Sequence, residues 1–279
     1  MDLGLDDRSA LVTGSWRGTG EGIARVLARE GARVFVHGLE AGQAEPVARA
    51  IERDGGRAVA VTGDVRTDGG AEAVARTVLD AGGIDVLVNN YGRAEGGGWL
   101  DGASADWLAM FETNVLSGAR MVRLLVPAMK ERGWRRVIFV GTVGSRRPRA
   151  QMPGYYAAKA SLANMAVGLA KELARTGITP NAISPGLLAP DAVRPSLVAR
   201  ARREGHAVAD DDLGALARIA AQSFLPAPSL ASGRIGTVED VGHLVAFLCS
   251  PQADYVNGAD LRIDGFAFDV EILAMARAR

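Results

Sequence analysis

Seven short apolar runs alternate with segments of helical spacing along this chain, and no other feature restricts its fold as strongly. The spacing predicts strands at 9–13, 33–37, 58–62, 84–89, 136–141, 179–184 and 260–263. It predicts helices near 19–30, 41–54, 68–81, 104–131, 154–176 and 237–250. Strands that are apolar on both faces and joined through helices imply a parallel sheet covered on both sides. No Pro- or Ser-rich linker and no internal repeat divides the 279 residues, so one α/β domain over 1–279 is expected. The rhythm breaks over 187–233, whose middle is charged (Arg202, Arg203, Glu204, Asp210, Asp211, Asp212). A long insertion of this kind in a compact domain is expected to serve as a substrate lid.

The first strand runs directly into Thr13-Gly14-Ser15-Trp16-Arg17-Gly18-Thr19-Gly20, and a helix follows at once. Glycines in that context allow a tight turn and let the backbone approach a pyrophosphate at a helix N-terminus. The expected ligand is a dinucleotide. An acidic residue ending the second strand would bind the ribose hydroxyls and select NAD. Here that end reads His37-Gly38-Leu39, with no carboxylate before Glu40, and Arg17 lies inside the glycine loop. An arginine there is placed to meet a 2′-phosphate, so NADP(H) is expected over NAD(H).

Tyr155 and Lys159 stand four residues apart, which puts them on one helix face. A phenol is a weak acid, with an ordinary pKa of about 10. A cation beside it favours the phenolate and brings proton transfer toward neutral pH. Lysine is rare here: only Lys130, Lys159 and Lys171 occur among 32 basic residues. Tyr156 has alanine at the corresponding spacing, so Tyr155 is the candidate acid/base.

Other classes recede on composition. Net charge is zero and the pI about 6.9, which gives no electrostatic footprint for nucleic acid. No apolar run suits a membrane span, and the acidic first residues do not resemble a signal peptide, so a cytoplasmic protein is expected. Cys249 is the only cysteine, and His37, His206 and His243 are scattered, which argues against a metal site or a histidine triad.

Taken together, the motifs resemble the short-chain dehydrogenase/reductase family, from about residue 5 to 268. They are the glycine loop Thr13–Gly20, Asp64-Val65, Asn89-Asn90-Tyr91-Gly92, Asn114, Tyr155–Lys159, Pro185-Gly186, Arg234-Ile235-Gly236 and Ile263-Asp264-Gly265. Within the family the chain is similar to members that reduce 3-oxoacyl groups on acyl-carrier protein. The resemblance implies a single-domain Rossmann fold with a doubly wound, parallel, seven-stranded sheet. It implies NADP(H)-dependent hydride transfer between nicotinamide and a carbonyl or secondary alcohol. Tyr155 would be general acid/base, Lys159 would lower its pKa and hold the nicotinamide ribose, and Asn114 would hold a water in a proton relay. Cofactor contacts are implied for Gly14, Ser15, Trp16, Arg17, Gly18, Thr19, Gly20, His37, Gly38, Asp64, Val65, Asn90, Tyr91, Gly92, Tyr155, Lys159, Pro185, Gly186 and Leu188. Asp64 would contact adenine.

The chain departs from the family pattern in three places. Thr142 occupies the position of the catalytic serine; it keeps the hydroxyl but adds a methyl that restricts χ1. Ser145 is nearby but too close in sequence to Tyr155 to match. Tyr91 replaces a small alanine, either shaping the substrate pocket or packing. Pro190 replaces a threonine that helps hold the nicotinamide carboxamide. Substrate contacts are expected from Thr142, Met152, Tyr156 and Leu187, with Trp99, Pro153 and Leu188 nearby, a mostly apolar set. Lys130, Arg132, Arg175, Arg146, Arg147 and Arg149 could meet an acyl carrier or form a solvated face. Two rival readings stay open: elimination or epimerisation on the same fold, and a silent NADP-binding module. Small residues on the long helices (Ala157, Ala160, Ala163, Gly168) fit a homo-oligomer, dimer or tetramer.

Overall fold

The computed structural model describes residues 2–131, 133–189, 194–203 and 234–265, together with positions 205, 208, 209 and 212. Strands β1 (Ser9–Val12), β2 (Arg33–Gly38), β3 (Arg57–Thr62), β4 (Val86–Asn89), β5 (Arg135–Val140), β6 (Ile178–Pro185) and β7 (Asp260–Ile263) form one sheet. Their order is β3-β2-β1-β4-β5-β6-β7, and every pairing is parallel. The expected doubly wound sheet is therefore observed.

Alternation within the strands shows why both faces are covered. Ala10, Val12, Val34, Val36, Val86, Val88, Ile138 and Val140 enter one apolar layer. The residues between them, Leu11, Phe35, Leu87, Val137 and Phe139, enter the other. Helix α1 (Gly18–Arg29) packs over the first layer with the helix at Val238–Leu248. Helices α3 (Asp68–Asp80), α5 (Ser117–Lys130) and α6 (Pro153–Glu172) cover the second. Helix α2 (Glu45–Arg53) follows β2, α4 (Ser104–Phe111) precedes α5, and α7 (Arg194–Arg203) precedes Val238–Leu248, hereafter α8.

Helices α1 and α8 approach closely at reciprocal glycines. A Cβ on Gly22 would lie 2.5 Å from Val238 Cβ, and one on Gly242 would lie 2.5 Å from Val26 Cγ2. Part of the closing motif has its role at this end of the chain. Arg234 pairs with Asp240 through two contacts of 2.7 Å, and Asp240 and Thr237 cap α8 reciprocally.

Two sequence expectations change. The helix expected over 104–131 is interrupted: α4 ends at Phe111, residues Glu112–Leu116 form a π-turn, and α5 follows. Asn114 explains the opening, since its Nδ2 donates to Met110 O at 3.0 Å, the carbonyl one helical turn back. The helix expected from 41 begins only at Glu45, because residues 39–43 form a turn closed by Gln43. Most of the segment 187–233 expected as a lid, including Pro190, lies outside the described residues, as does Arg132.

Candidate active site

The strand order reverses between β2 and β4, on either side of β1. Ligands of open α/β sheets bind at such switch points, beyond the carboxyl ends of the strands. A cavity of about 670 Å³ opens there. Among the residues around it are the glycine loop, Gly92 and Pro185, and at one end Thr142, Tyr155 and Lys159.

The glycine loop is built by the sequence and held from behind. Gly14 and Gly18 have φ of +64° and +61°, a region that favours glycine. A Cβ on Gly20 would fall 2.4 Å from Asn90 Nδ2 and 2.5 Å from Gly14 O. Asn90 Nδ2 donates to Thr13 O at 2.9 Å, and Thr13 Oγ1 accepts the N–H groups of Asn90 and Tyr91, each at 3.0 Å. Gly18, Thr19 and Gly20 reach the cavity at the start of α1, where first-turn N–H groups have no partners within the helix. This turn, with Arg17 beside it, fits a dinucleotide pyrophosphate.

His37 and Ser15 lie behind this wall and do not line the cavity. His37 is fully buried; its Nδ1 accepts Gly14 N–H at 2.8 Å, and its Nε2 meets Gly63 O at 2.8 Å. The imidazole is therefore a neutral tautomer with the proton on Nε2, and burial pushes its pKa down to about 4. Ser15 Oγ accepts His37 N–H at 2.9 Å and donates to Val12 O at 2.7 Å. Expected as cofactor contacts, both residues support the loop instead. Val65 is likewise buried in the second apolar layer, and Gly38 is buried beneath Gln43.

At the reactive end, Thr142 caps a 3₁₀ turn (Val143–Ser145), its Oγ1 accepting Gly144 N–H at 3.2 Å. Thr142 also lines the cavity, and this bond uses its oxygen only as an acceptor. Ser145 lies on the far side, lining a second cavity with Tyr156, Trp99 and Trp107. The arrangement thus brings Thr142, and not Ser145, together with Tyr155. Gly144 makes room for Tyr156, whose ring would lie 2.3 Å from a Cβ there. Lys159 Nζ donates to Val140 O at 2.8 Å. Gly92 borders Lys159 and Asn114, since a Cβ would lie 2.9 Å from Lys159 Nζ and 2.5 Å from Asn114 Oδ1. Asn114 also holds Arg93 on both sides, accepting its N–H at 3.1 Å and donating to its carbonyl at 3.0 Å.

The titration of the pair differs from the sequence expectation. Burial pushes the Tyr155 phenol up to about 12, with Tyr156 adding to it. Burial also pushes Lys159 down to about 8. Desolvation opposes both charged forms, and the ammonium is turned onto the Val140 carbonyl.

The opposite end is charged. Arg17, Glu40 and Arg66 line it, with Trp16, Leu39 and Gln43. Arg17 lies over the Trp16 ring, 5.3 Å from its centroid. Arg66 pairs with Asp64 through Nη2 at 2.8 Å and Nε at 2.9 Å, holding the carboxyl below the usual carboxylate range. Asp64, expected to meet adenine, is thus engaged by Arg66, which takes its place on the cavity wall. Tyr91 packs under the glycine loop, its ring 6.2 Å from that of Trp16, and also lines the cavity. The packing alternative is the one these contacts describe.

Leu187, Leu188, Met152 and Tyr156 do not line this cavity. Leu188 instead bridges to Gly236, and Met152 sits left-handed, with φ of 55°, just before α6. Arg66, Gln43 and Arg93 were not anticipated as wall residues. The one available signal for Arg66 was its position just past β3, whose carboxyl end opens on the same side. Among the described residues no cluster of His, Cys, Asp or Glu could hold a metal, and no helix is long and apolar enough to cross a membrane.

Comparison with known proteins places this site in a class. The family model described as short chain dehydrogenase matches residues 8–199, and the chain belongs to that family. It is 34% identical to D-beta-hydroxybutyrate dehydrogenase of Cupriavidus necator over 272 residues, covering 94% of this chain and 98% of the relative. It is 29% identical to 3-oxoacyl-[acyl-carrier-protein] reductase of Escherichia coli, covering 94% and 98%. The structure of L-sorbose reductase from Gluconobacter frateurii, complexed with NADPH and L-sorbose, superposes with a TM-score of 0.85 at 29% identity, covering 96% and 99%. The chain is an oxidoreductase of the CH–OH class.

Proposed function

We propose that the protein carries out reversible hydride transfer between NADP(H) and a small ketone or secondary alcohol. The observation that carries the reading is the placing of Thr142, Tyr155 and Lys159 in the cavity bounded by the glycine loop. The nicotinamide supplies or takes the hydride. In reduction, Tyr155 donates its phenolic proton to the carbonyl oxygen, and in oxidation the phenolate takes the alcohol proton. Thr142 donates a second hydrogen bond to the same oxygen, which its bond from Gly144 N–H leaves it free to do. Lys159, when charged, favours the phenolate against the burial that opposes it. Asn114 holds the chain at Arg93, and through Gly92 the space beside Lys159.

The choice of NADP(H) rests on Arg17. It lines the cavity with no acidic partner among the described residues, whereas Arg66 is paired with Asp64 and Arg93 with Glu95. Glu40 lines the same end and works against a phosphate, so the preference is a balance of these two groups. The relatives named for hydroxybutyrate, 3-oxoacyl groups and L-sorbose support an oxygenated substrate carrying a secondary alcohol or ketone. Docking of an acyl carrier finds less support, because Arg146 is paired with Asp260 at 3.0 Å. The exposed apolar residues Leu108, Phe111, Leu116 and Val167 on and around the long helices support a homo-oligomer.

The test is an absorbance assay for loss of reduced nicotinamide, with NADPH and NADH in parallel against 3-hydroxyacid, ketose and 3-oxoacyl thioester pairs. Consumption with NADPH in preference to NADH is the expected outcome. Binding of neither nucleotide in a fluorescence titration would overturn the reading. Sedimentation as a monomer at micromolar concentration would overturn the oligomer.

A further inference from the structure

Gln43 sits half-buried in the turn between β2 and α2, and its sequence context does not mark it. Its Oε1 accepts two backbone N–H groups, from Leu39 at 2.9 Å and from Glu40 at 3.2 Å. Backbone N–H groups converging on one oxygen make a small anion-binding nest. The side chain reaches that nest because Gly38 lacks a Cβ, which would lie 2.8 Å from Gln43 Cβ and 3.3 Å from Oε1. Leu39, Glu40 and Gln43 line the charged end of the cavity with Arg17. That cavity is therefore lined by a cation and by a turn whose two main-chain donors are already satisfied by the protein's own amide oxygen.

We propose that Gln43 biases the choice between 2′-phosphate and 2′-hydroxyl cofactors against the phosphate, its carboxamide oxygen occupying the place that a phosphate oxygen takes. This rests on the dinucleotide reading above. A 2′-phosphate displaces the carboxamide, takes the Leu39 and Glu40 N–H groups, and pairs with Arg17. A 2′-hydroxyl carries no charge with which to recruit those donors, so with NAD(H) the carboxamide stays in place. Gln43 is thus a competitor for the phosphate rather than its ligand.

Equilibrium titration by nucleotide fluorescence with NADPH and with NADH tests this without reference to turnover. The proteins are the full chain, Gln43→Ala and Gln43→Glu, with folding checked by circular dichroism. Gln43→Ala frees the donors and is expected to bind NADPH about fivefold tighter, while NADH changes by less than about twofold. Gln43→Glu keeps an acceptor at the nest but adds a charge, and is expected to weaken NADPH about tenfold or more with NADH little changed. Weaker NADPH binding by Gln43→Ala would make Gln43 a direct phosphate ligand and overturn the proposal. An unchanged NADPH-to-NADH ratio in both variants would overturn it as well, with the dinucleotide reading intact. If the unmutated chain bound neither nucleotide, that reading itself would fall.

Discussion

The two ends of the cavity are built on opposite electrostatic plans. At the reactive end Tyr155 is half-buried and Lys159 buried, their titrations are displaced by desolvation, and the ammonium is anchored on a main-chain carbonyl. At the other end Arg17, Glu40 and the Arg66–Asp64 pair stand where solvent reaches them. Burial magnifies each charge and hydrogen bond, so the first end suits chemistry. Partly solvated charges discriminate between ligands at smaller energies, so the second suits choice of cofactor. Substitutions at the first end should change turnover and leave the NADPH-to-NADH ratio alone. Those at the second should do the reverse.

A large separation is expected at Thr142. Thr142→Ala removes a donor to the reacting oxygen and should lower kcat about 100-fold, while Thr142→Ser retains most activity. Steady-state kinetics with both nucleotides checks this; a shift in their ratio would break the division between the ends. His37 probes the wall that joins them. Its folded pKa of about 4 lies below the unfolded value of 6.5, so the unfolded chain binds more protons between those limits. The contribution to stability is complete above pH 6.5 and is lost as pH falls toward 4, by on the order of 2 kcal/mol between pH 7 and pH 5. Protonation of Nδ1 would also remove the acceptor for Gly14 N–H. Urea denaturation at the two pH values should show this slope, flattened in His37→Asn; equal slopes would remove His37 from the account. A smaller effect is expected at Arg17. Arg17→Ala should weaken NADPH about tenfold and leave NADH nearly unchanged, read by equilibrium titration.

The same contrast explains what was legible beforehand. Tyr155 and Lys159 declare themselves because helical geometry converts a spacing of four into one face. The glycine loop does so because strand, turn and helix follow one another without a gap. The parallel sheet was legible from strands apolar on both faces, and the structure has all seven. Local spacing could not reveal Arg66 and Gln43, which reach the cavity only when β2 and β3 are laid beside β1 and the turn after β2 folds back. Nor could it show that His37 and Ser15 face inward, since a strand end looks the same from either side until its neighbours are in place. The π-turn at Asn114 escaped notice because apolar periodicity continues across it, and only a side-chain bond to Met110 O opens the helix. Desolvation is equally invisible in a spacing. The sequence expectation for Tyr155 counted the nearby cation and omitted the burial.

Tyr155→Phe tests the central claim most directly, with NADPH affinity and NADPH consumption measured on the same protein. The account predicts a loss of turnover of about 1,000-fold with affinity unchanged within about twofold. Turnover near that of the unmutated chain would contradict it, since the phenolic proton would then have no part in the reaction.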